Sequence, residues 1–287
     1  MSSGFVHLHT HSSYSPMWGT STLEALCEAV RSQGHDTFAL TDTNGLYGAI
    51  RFLEVAKRAG LKPILGTEII QAQHRAVLLA KSPEGYGNLC RLLSARHEDE
   101  PFEFIETIQR YRAGLVILSD DFQALTAWRA QSGEDLYVEL TPGADLQKAV
   151  SFSRQNSIPP VATTRAALLR PTDFEAHRLL RAIAENTTLS RLRPDCCCAP
   201  SHWLMPSSVM ARALPHVPEA LSNTRRIANQ CATAWDFQTT IFPSFREMSA
   251  DGAVETLRAK TYNGAVWRYG VLSEVVRARI EKELTVI

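Results

Sequence analysis

Short runs of β-branched and aliphatic residues recur along the first part of the chain, separated by polar or helical segments. Runs of roughly four to eight such residues, bounded by turn-forming residues, are typical of buried strands. They predict seven strands: Phe5 to Leu8, Thr37 to Thr41, Pro63 to Ile70, Ala76 to Ala80, Leu115 to Leu118, Leu136 to Leu140 and Pro160 to Thr163.

Amphipathic helices are predicted between several of these strands. In the first helix the apolar residues have the spacing i, i+3, i+4 and i+7, namely Leu23, Leu26, Cys27 and Val30. Ser21 or Thr22 is its possible N-cap. A second helix runs from about Tyr47 to Ala59 and is ended by Gly60, because a glycine in the left-handed conformation commonly ends a helix. A third helix begins near Glu84.

The alternation of strands and helices predicts an α/β fold with a mainly parallel sheet, either doubly wound or closed as a barrel. Seven strands in this length favour a barrel, in which chemistry is concentrated at the carboxyl ends of the strands. After Leu169 the pattern becomes helical over 172–187, 218–232 and 254–287. We therefore expect a barrel core over residues 1–170, followed by a mostly helical remainder over residues 171–287.

Composition is that of an ordinary folded protein: 45% of the 287 residues are hydrophobic, 21% are charged, and the formal net charge is zero. Because there is no overall positive field, DNA contact would need a local patch or a partner domain. No apolar run approaches membrane-spanning length, and the N-terminus lacks a signal pattern. Three of the six cysteines are consecutive, which suits neither a disulfide framework nor C-x-x-C zinc spacing, so we expect a reducing cytoplasm as the location.

The most distinctive chemistry lies at the end of the first predicted strand, where His7, His9 and His11 alternate with other residues. Side chains at i and i+2 of a strand point to the same side, so the three imidazoles can converge. Imidazole is a common ligand of zinc and similar ions. The pattern predicts either a metal site or a polar strand end packed against carboxylates and carbonyls.

Several segments in order resemble one family. They include the residues HLHTHSSYS from His7, LTDTNGLYGA from Leu40, GTE from Gly66, LLAK from Leu78 and EGYGNL from Glu84. They are similar to the PHP (polymerase and histidinol phosphatase) domain, and more narrowly to the PHP domain of the α subunit of bacterial DNA polymerase III. The resemblance covers nearly the whole chain. It implies a distorted (β/α)7 barrel with a C-terminal helical extension leading toward a polymerase palm.

The family resemblance also implies a cluster of His, Asp and Glu ligands for two or three ions, and here that cluster is reduced. His7, His9 and Glu68 stand at ligand positions, and His11 is expected to be a hydrogen-bonding neighbour. Four other ligand positions carry residues that do not suit a cation, namely Trp18, Thr43, Arg165 and Ala167. Arg165 is expected to pair with Glu68 or Asp42.

From this resemblance we expect a structural and docking platform of a replicative or error-prone polymerase, with an inactive metal site and no functional cofactor. Its expected partners are a polymerase palm and thumb module, in the same or a separate chain, and a proofreading exonuclease subunit; DNA would be reached only through that assembly. No polymerase catalytic aspartates can be assigned here.

The alternative is a metal-dependent phosphoesterase or 3′–5′ exonuclease that holds one Zn or Mn ion through His7, His9 and Glu68. A histidinol-phosphate phosphatase is a weaker possibility.

Overall fold

The computed structural model describes residues 4–98, 101–143, 145–237, 245–246 and 248–287. The chain forms two compact units, Met1–Trp235 and Asp236–Ile287. The predicted boundary near residue 170, between a barrel core and a helical remainder, stays a prediction. Within the described residues, the first unit contains a curled six-stranded sheet in sequence order, β1 (Thr37–Leu40), β2 (Lys62–Gln71), β3 (His74–Ala80), β4 (Leu115–Ser119), β5 (Leu136–Leu140) and β6 (Pro160–Ala162).

Helices alternate with these strands and follow them in the first unit, and two further helices lie in the second unit. Over the described ranges they are α1 (Leu23–Ser32), α2 (Ala49–Arg58), α3 (Pro83–His97), α4 (Phe104–Tyr111), α5 (Phe122–Gln131), α6 (Leu146–Asn156), α7 (Phe174–Ala184), α8 (Ser207–Ala213), α9 (Pro218–Gln230), α10 (Ala250–Tyr269) and α11 (Glu274–Val286).

The hydrophobic pattern located most of these elements. Six of the seven predicted strands are confirmed to within two residues at either end. Helix α1 buries the four predicted apolar residues, and the Thr22 hydroxyl caps it by accepting a hydrogen bond from the amide of Ala25 at 3.2 Å. Gly60 follows α2 with a φ of +70°, which is the left-handed conformation expected at a helix end.

The prediction of a regular strand over Phe5 to Leu8 is wrong, although the segment is extended and central. The amide of Val6 donates to the Thr224 hydroxyl at 2.8 Å instead of to a neighbouring strand. The segment nevertheless closes the curled sheet. On one side the carbonyl of His7 accepts from the amide of Ala39, and on the other the carbonyl of His9 accepts from that of Ala166. Six strands and this segment together make the seven-part α/β barrel.

The sheet is more mixed than the sequence predicted. β1–β2, β4–β5 and β5–β6 pair in parallel, but β3 runs antiparallel to both β2 and β4. The reason lies in the connection: only Ala72 and Gln73 separate β2 from β3. Two residues can close a hairpin, whereas a parallel crossover needs about a dozen.

The barrel interior is an apolar cluster to which every strand and the N-terminal segment contribute. Its members are Val6, Leu8, Ala39, Ile64, Val77, Leu79, Val116, Leu118, Tyr137, Val161, Ile227, Ala228 and Cys231. Side chains alternate between the two faces of a strand. A residue two or four positions beyond an interior residue therefore also faces the interior, but lies nearer the mouth of the barrel. On β5, for example, Glu139 follows Tyr137. Polar interior positions at this mouth form the site described below.

The second unit contains α10 and α11, which the sequence predicted as one helical stretch. Gly270, with a φ of +68°, ends α10 and separates the two helices. Arg258 and Tyr262 on α10 both contact Glu281 on α11. Neither helix has a buried residue.

Candidate metal centre

Three donor side chains meet at the mouth of the barrel. His9, His11 and Glu68 are buried, and each offers one ligand atom within 4.8 Å of the others. The two histidine Nε2 atoms are 3.2 Å apart, and Glu68 carboxylate oxygens lie 3.3 Å from His9 Nε2 and 3.6 Å from His11 Nε2. Ligand atoms about 2.0–2.2 Å from a tetrahedral ion are roughly 3.3–3.6 Å apart. A different Glu68 oxygen faces each histidine, Oε1 toward His9 and Oε2 toward His11, so the three side chains approach the spacing of one face of a tetrahedral site.

Glu139 on β5 determines which nitrogen of His9 faces the other donors. His9 Nδ1 lies 2.6 Å from Glu139 Oε1, so Nδ1 donates to the carboxylate and Nε2 faces Glu68 and His11. A carboxylate behind an imidazole commonly orients a metal-binding histidine. Burial opposes charge on His9, but Glu139 and Glu68 outweigh that effect and raise its pKa. A proton on Nε2 would therefore compete with a metal ion.

The other two donors are in the protonation states that bind metals. Burial lowers the pKa of His11 to about 4, against the opposing charge of Glu68. Burial alone would raise the pKa of Glu68, but His11, His9 and Arg75 lower it to about 2. Near neutral pH, His11 is neutral and Glu68 is a carboxylate. With His9 deprotonated, the set fits one ion.

Thr43 and Asp42 follow β1 and are engaged in hydrogen bonds. The Thr43 hydroxyl donates to Glu68 Oε2 at 3.1 Å. Asp42 Oδ1 accepts from the amide of Ser12 and the hydroxyl of Ser15, each at 2.7 Å, and its Oδ2 accepts from the Ser12 hydroxyl at 2.8 Å. Asp42 thus holds the loop that follows His11, and Thr43 supplies Glu68 with a hydrogen bond.

His7 is not brought into the donor group. Its Nε2 lies 3.3 Å from Gln33 Oε1, and its ring centroid lies 5.1 Å from that of His35. Leu8 belongs to the interior cluster, and His9 also faces the interior through Glu139. Because regular alternation breaks between these two neighbours, the i, i+2 argument does not extend from His9 back to His7.

Arg165 pairs with carboxylates that the sequence analysis did not name. Its Nε and Nη2 donate to Glu139 Oε2 at 3.0 and 2.6 Å, and Nη2 lies 2.8 Å from Asp120 Oδ2. The expectation of a pair with Glu68 or Asp42 is wrong, because Glu139 on β5 and Asp120 after β4 already bind the guanidinium. It is instead Arg75 Nε that lies 3.8 Å from Glu68 Oε1.

Trp18 and Ala167, the two remaining replaced positions, make packing contacts. The backbone carbonyl of Trp18 accepts a hydrogen bond from His177 Nδ1 at 2.8 Å, and its ring lies 5.3 Å from the Arg181 guanidinium. Ala167 is buried in a small apolar cluster with Cys198. Neither side chain offers a ligand atom.

Sequence analysis missed Glu139, Asp120 and Arg75. Glu139 carried a signal, because a carboxylate inside an otherwise apolar strand is almost never fully buried without a partner. Nothing in the sequence distinguished Asp120 and Arg75, because charged residues at strand ends are common on protein surfaces.

Comparisons with known proteins agree with the resemblance. Residues 7–141 match the model of the PHP domain family. An error-prone DNA polymerase of Symbiobacterium thermophilum is 30% identical, over 99% of this chain and 30% of that protein. The DNA polymerase III subunit alpha of Treponema pallidum is 28% identical, over 99% of this chain and 28% of that protein. The chain thus spans about three tenths of the length of these relatives.

Solved structures are less similar. An amidohydrolase from Chromobacterium violaceum is 13% identical with a TM-score of 0.41, over 55% of this chain and 86% of that one. A two-domain protein from Bacteroides vulgatus, described as containing a predicted PHP-like metal-dependent phosphoesterase, is 13% identical with a TM-score of 0.43, over 78% of this chain and 64% of that one. Both TM-scores are too low to bear on function.

Hydropathy gives one further finding. Within the described ranges, no helix combines the length and the apolar character needed to cross a bilayer.

Proposed function

Since the chain carries a PHP domain in a sequence homologous to the N-terminal region of DNA polymerase III α subunits, we propose that it serves such a polymerase mainly as a structural and docking platform. In this proposal its own metal site does not support phosphoester hydrolysis.

The observation that carries the proposal is the placement of Arg165. Two-metal hydrolysis needs carboxylates beyond a single triad of ligands. Glu139 contacts His9, Asp120 contacts Arg75, and the Arg165 guanidinium already holds both carboxylates. Two unit positive charges about 4 Å apart cost roughly 4 kcal/mol at an effective dielectric of about 20, and arginine cannot relieve this by losing its proton. A second ion beside Arg165 is therefore disfavoured.

A polymerase palm and thumb module, in the same or a separate chain, is the first proposed partner, because the relatives are DNA polymerase subunits. A proofreading exonuclease subunit is proposed as a second partner from the family resemblance alone. DNA would be contacted only through that assembly, because the net charge of zero provides no general attraction for a nucleic acid. The proposed location is the cytoplasm.

A second candidate function rests on the spacing of the three donors. His9, His11 and Glu68 would hold a single Zn²⁺ or Mn²⁺ ion, which when bound would supply a Lewis acid and an activated water for a phosphoesterase or exonuclease. Glu139 would keep His9 oriented, and Thr43 would hold Glu68. The expectation that assigned the ligand role to His7 is replaced in this proposal by one that assigns it to His11.

Metal analysis separates the two candidates. Protein freed of metal, supplied with Zn²⁺ or Mn²⁺ and dialysed, should hold less than one ion per chain and leave a generic phosphodiester intact. His9→Asn and the exposed His216→Asn serve as test and control variants. One bound ion per chain with hydrolysis that disappears in His9→Asn alone would establish the phosphoesterase instead.

The platform role has its own test. The palm and thumb module of a DNA polymerase III α subunit from the same organism should co-purify with the chain and raise its unfolding temperature. Absence of both effects would refute the platform proposal, whatever the metal content.

A further inference from the structure

The polar side chains at the barrel mouth form a closed ring, called here the charge ring, in which carboxylates alternate with nitrogen-bearing groups. Its contacts, in order, are Glu68 Oε1 to Arg75 Nε at 3.8 Å, Arg75 Nη2 to Asp120 Oδ2 at 3.1 Å, Asp120 Oδ2 to Arg165 Nη2 at 2.8 Å, Arg165 Nη2 to Glu139 Oε2 at 2.6 Å, Glu139 Oε1 to His9 Nδ1 at 2.6 Å, and His9 Nε2 back to Glu68 Oε1 at 3.3 Å.

Nearly every part of the barrel supplies one member of this ring. Glu68, Arg75 and Glu139 belong to β2, β3 and β5, while Asp120 and Arg165 follow β4 and β6. The N-terminal segment supplies His9. β1 is attached from outside the ring, because Thr43, which follows it, donates to Glu68. The ring therefore ties together all seven extended segments at one level of the barrel.

Three members of the ring lie within strands and occupy the interior face. Arg75, Glu139 and Glu68 each lie an even number of residues from an apolar residue of the interior cluster on the same strand, namely Val77, Tyr137 and Ile64. Alternation along a strand places such residues on one face. Asp120 and Arg165 follow their strands and join the same layer through their contacts with Arg75 and Glu139. The charge ring is thus the polar top layer of the core.

We propose that the charge ring closes the barrel mouth without a metal ion, with the Arg165 guanidinium standing in for a cation between Glu139 and Asp120. This inference deepens the proposed function, on which it rests, by stating what replaces the metal cluster in a barrel kept as a platform.

The chemistry of Arg165 suits this task. A guanidinium is permanently charged and presents several N–H donors in a rigid fork, so it can hold two carboxylates as an ion does. Only 9% of its side chain is exposed. Its backbone has a φ of 45°, which is unusual for a residue with a side chain and is maintained where the surroundings demand it. In Arg165 the contacts with Glu139 and Asp120 maintain this backbone conformation.

Thermal unfolding of the full chain tests the inference. The wild-type midpoint should be the same with EDTA as with added Zn²⁺ or Mn²⁺. Arg165→Met should lower the midpoint by on the order of 10 °C, because the buried Glu139 and the partly exposed Asp120 lose their cation. Added Mn²⁺ or Zn²⁺ should restore part of that loss, since Glu139 and Asp120 become free to bind the ion.

Matched variants distinguish this effect from a general loss of arginine. Arg51→Met removes an arginine whose side chain is 45% exposed and which pairs with Glu24 and Glu54, and it should shift the midpoint by less than about 2 °C. Arg165→Lys keeps the charge but not the fork, so its midpoint should lie between those of wild type and Arg165→Met. If Arg165→Met does not fold, Arg75→Met, whose side chain is 32% exposed, should show a smaller loss with the same partial rescue by Mn²⁺ or Zn²⁺.

Two results would overturn the inference. An EDTA-induced fall of the wild-type midpoint would show that a metal closes the barrel, and a loss in Arg165→Met that no divalent ion relieves would show that Arg165 is not a cation substitute. Neither outcome depends on hydrolysis or on polymerase binding, so failure here is distinct from failure of the proposed function.

Discussion

Arg165 and Arg258 each hold a glutamate at nearly the same distance, in two different regions of the chain. Arg165 Nη2 lies 2.6 Å from Glu139 Oε2 at the barrel mouth, where the side chains are 9% and 1% exposed. Arg258 Nη1 lies 2.5 Å from Glu281 Oε1 between α10 and α11, where they are 49% and 44% exposed. Distance alone does not distinguish the two pairs.

The surroundings do distinguish them. Water solvates and screens both members of an exposed pair, so separating them has little effect. At the barrel mouth Arg165, Glu139 and His9 depend on protein partners, because their side chains are only 9%, 1% and 0% exposed. Removing one of these three therefore leaves a buried charge without its partner. Loss of one buried member of the charge ring therefore destabilises its neighbours in the ring, whereas a contact between α10 and α11 can be lost with little effect on the others.

The largest expected effect comes from breaking the ring at Glu139, the buried carboxylate that joins Arg165 to His9. Glu139→Gln should lower the free energy of unfolding by about 3–5 kcal/mol, because Arg165 and His9 lose their charged partner while remaining buried. Urea unfolding measures this change.

Glu281→Gln is the matched control in the helix pair and should leave the urea midpoint unchanged. Equal effects of the two substitutions would remove the distinction drawn here between buried and exposed pairs.

The sequence predicted the positions of strands and helices better than the partners of individual side chains. Apolar periodicity located β5 and α1 closely, because burial of one face determines such elements. It did not place His7, since one irregular step between Leu8 and His9 changes the face to which a side chain points. The partners of Arg165 were also out of reach, because three-dimensional closure of the barrel brings residues 75, 120 and 165 together.

Acid should weaken the barrel mouth, an effect expected to be smaller than that of Glu139→Gln. His11 has a pKa of about 4 in the folded chain against 6.5 ordinarily, and Glu68 about 2 against 4.5. Because both values are depressed, the unfolded chain binds protons first. Stability is then lost between about pH 6.5 and 4 through His11, and between about pH 4.5 and 2 through Glu68.

His9 has a raised pKa and acts in the opposite sense: its contribution is full below about pH 6.5 and is lost as the pH rises through its folded pKa. Urea unfolding between about pH 7 and pH 4 measures the balance. His11→Asn should reduce the loss over this range. Identical pH profiles of wild type and His11→Asn down to about pH 4 would contradict the assignment of a neutral buried His11.

The smallest effects come from adding a single methyl group in each region, and they should have opposite signs. A Cβ on Gly19 would lie 2.0 Å from the Ser12 carbonyl oxygen, in the loop that Asp42 holds, so the backbone must shift. Gly19→Ala should therefore cost about 1–3 kcal/mol. A Cβ on Gly264, in α10, would meet nothing within 4 Å. Gly264→Ala should stabilise the helix by about 0.5–1 kcal/mol, because alanine loses less conformational freedom than glycine. Urea unfolding followed by circular dichroism measures both. If both substitutions lowered the free energy of unfolding, the helix pair would be as tightly constrained as the barrel mouth.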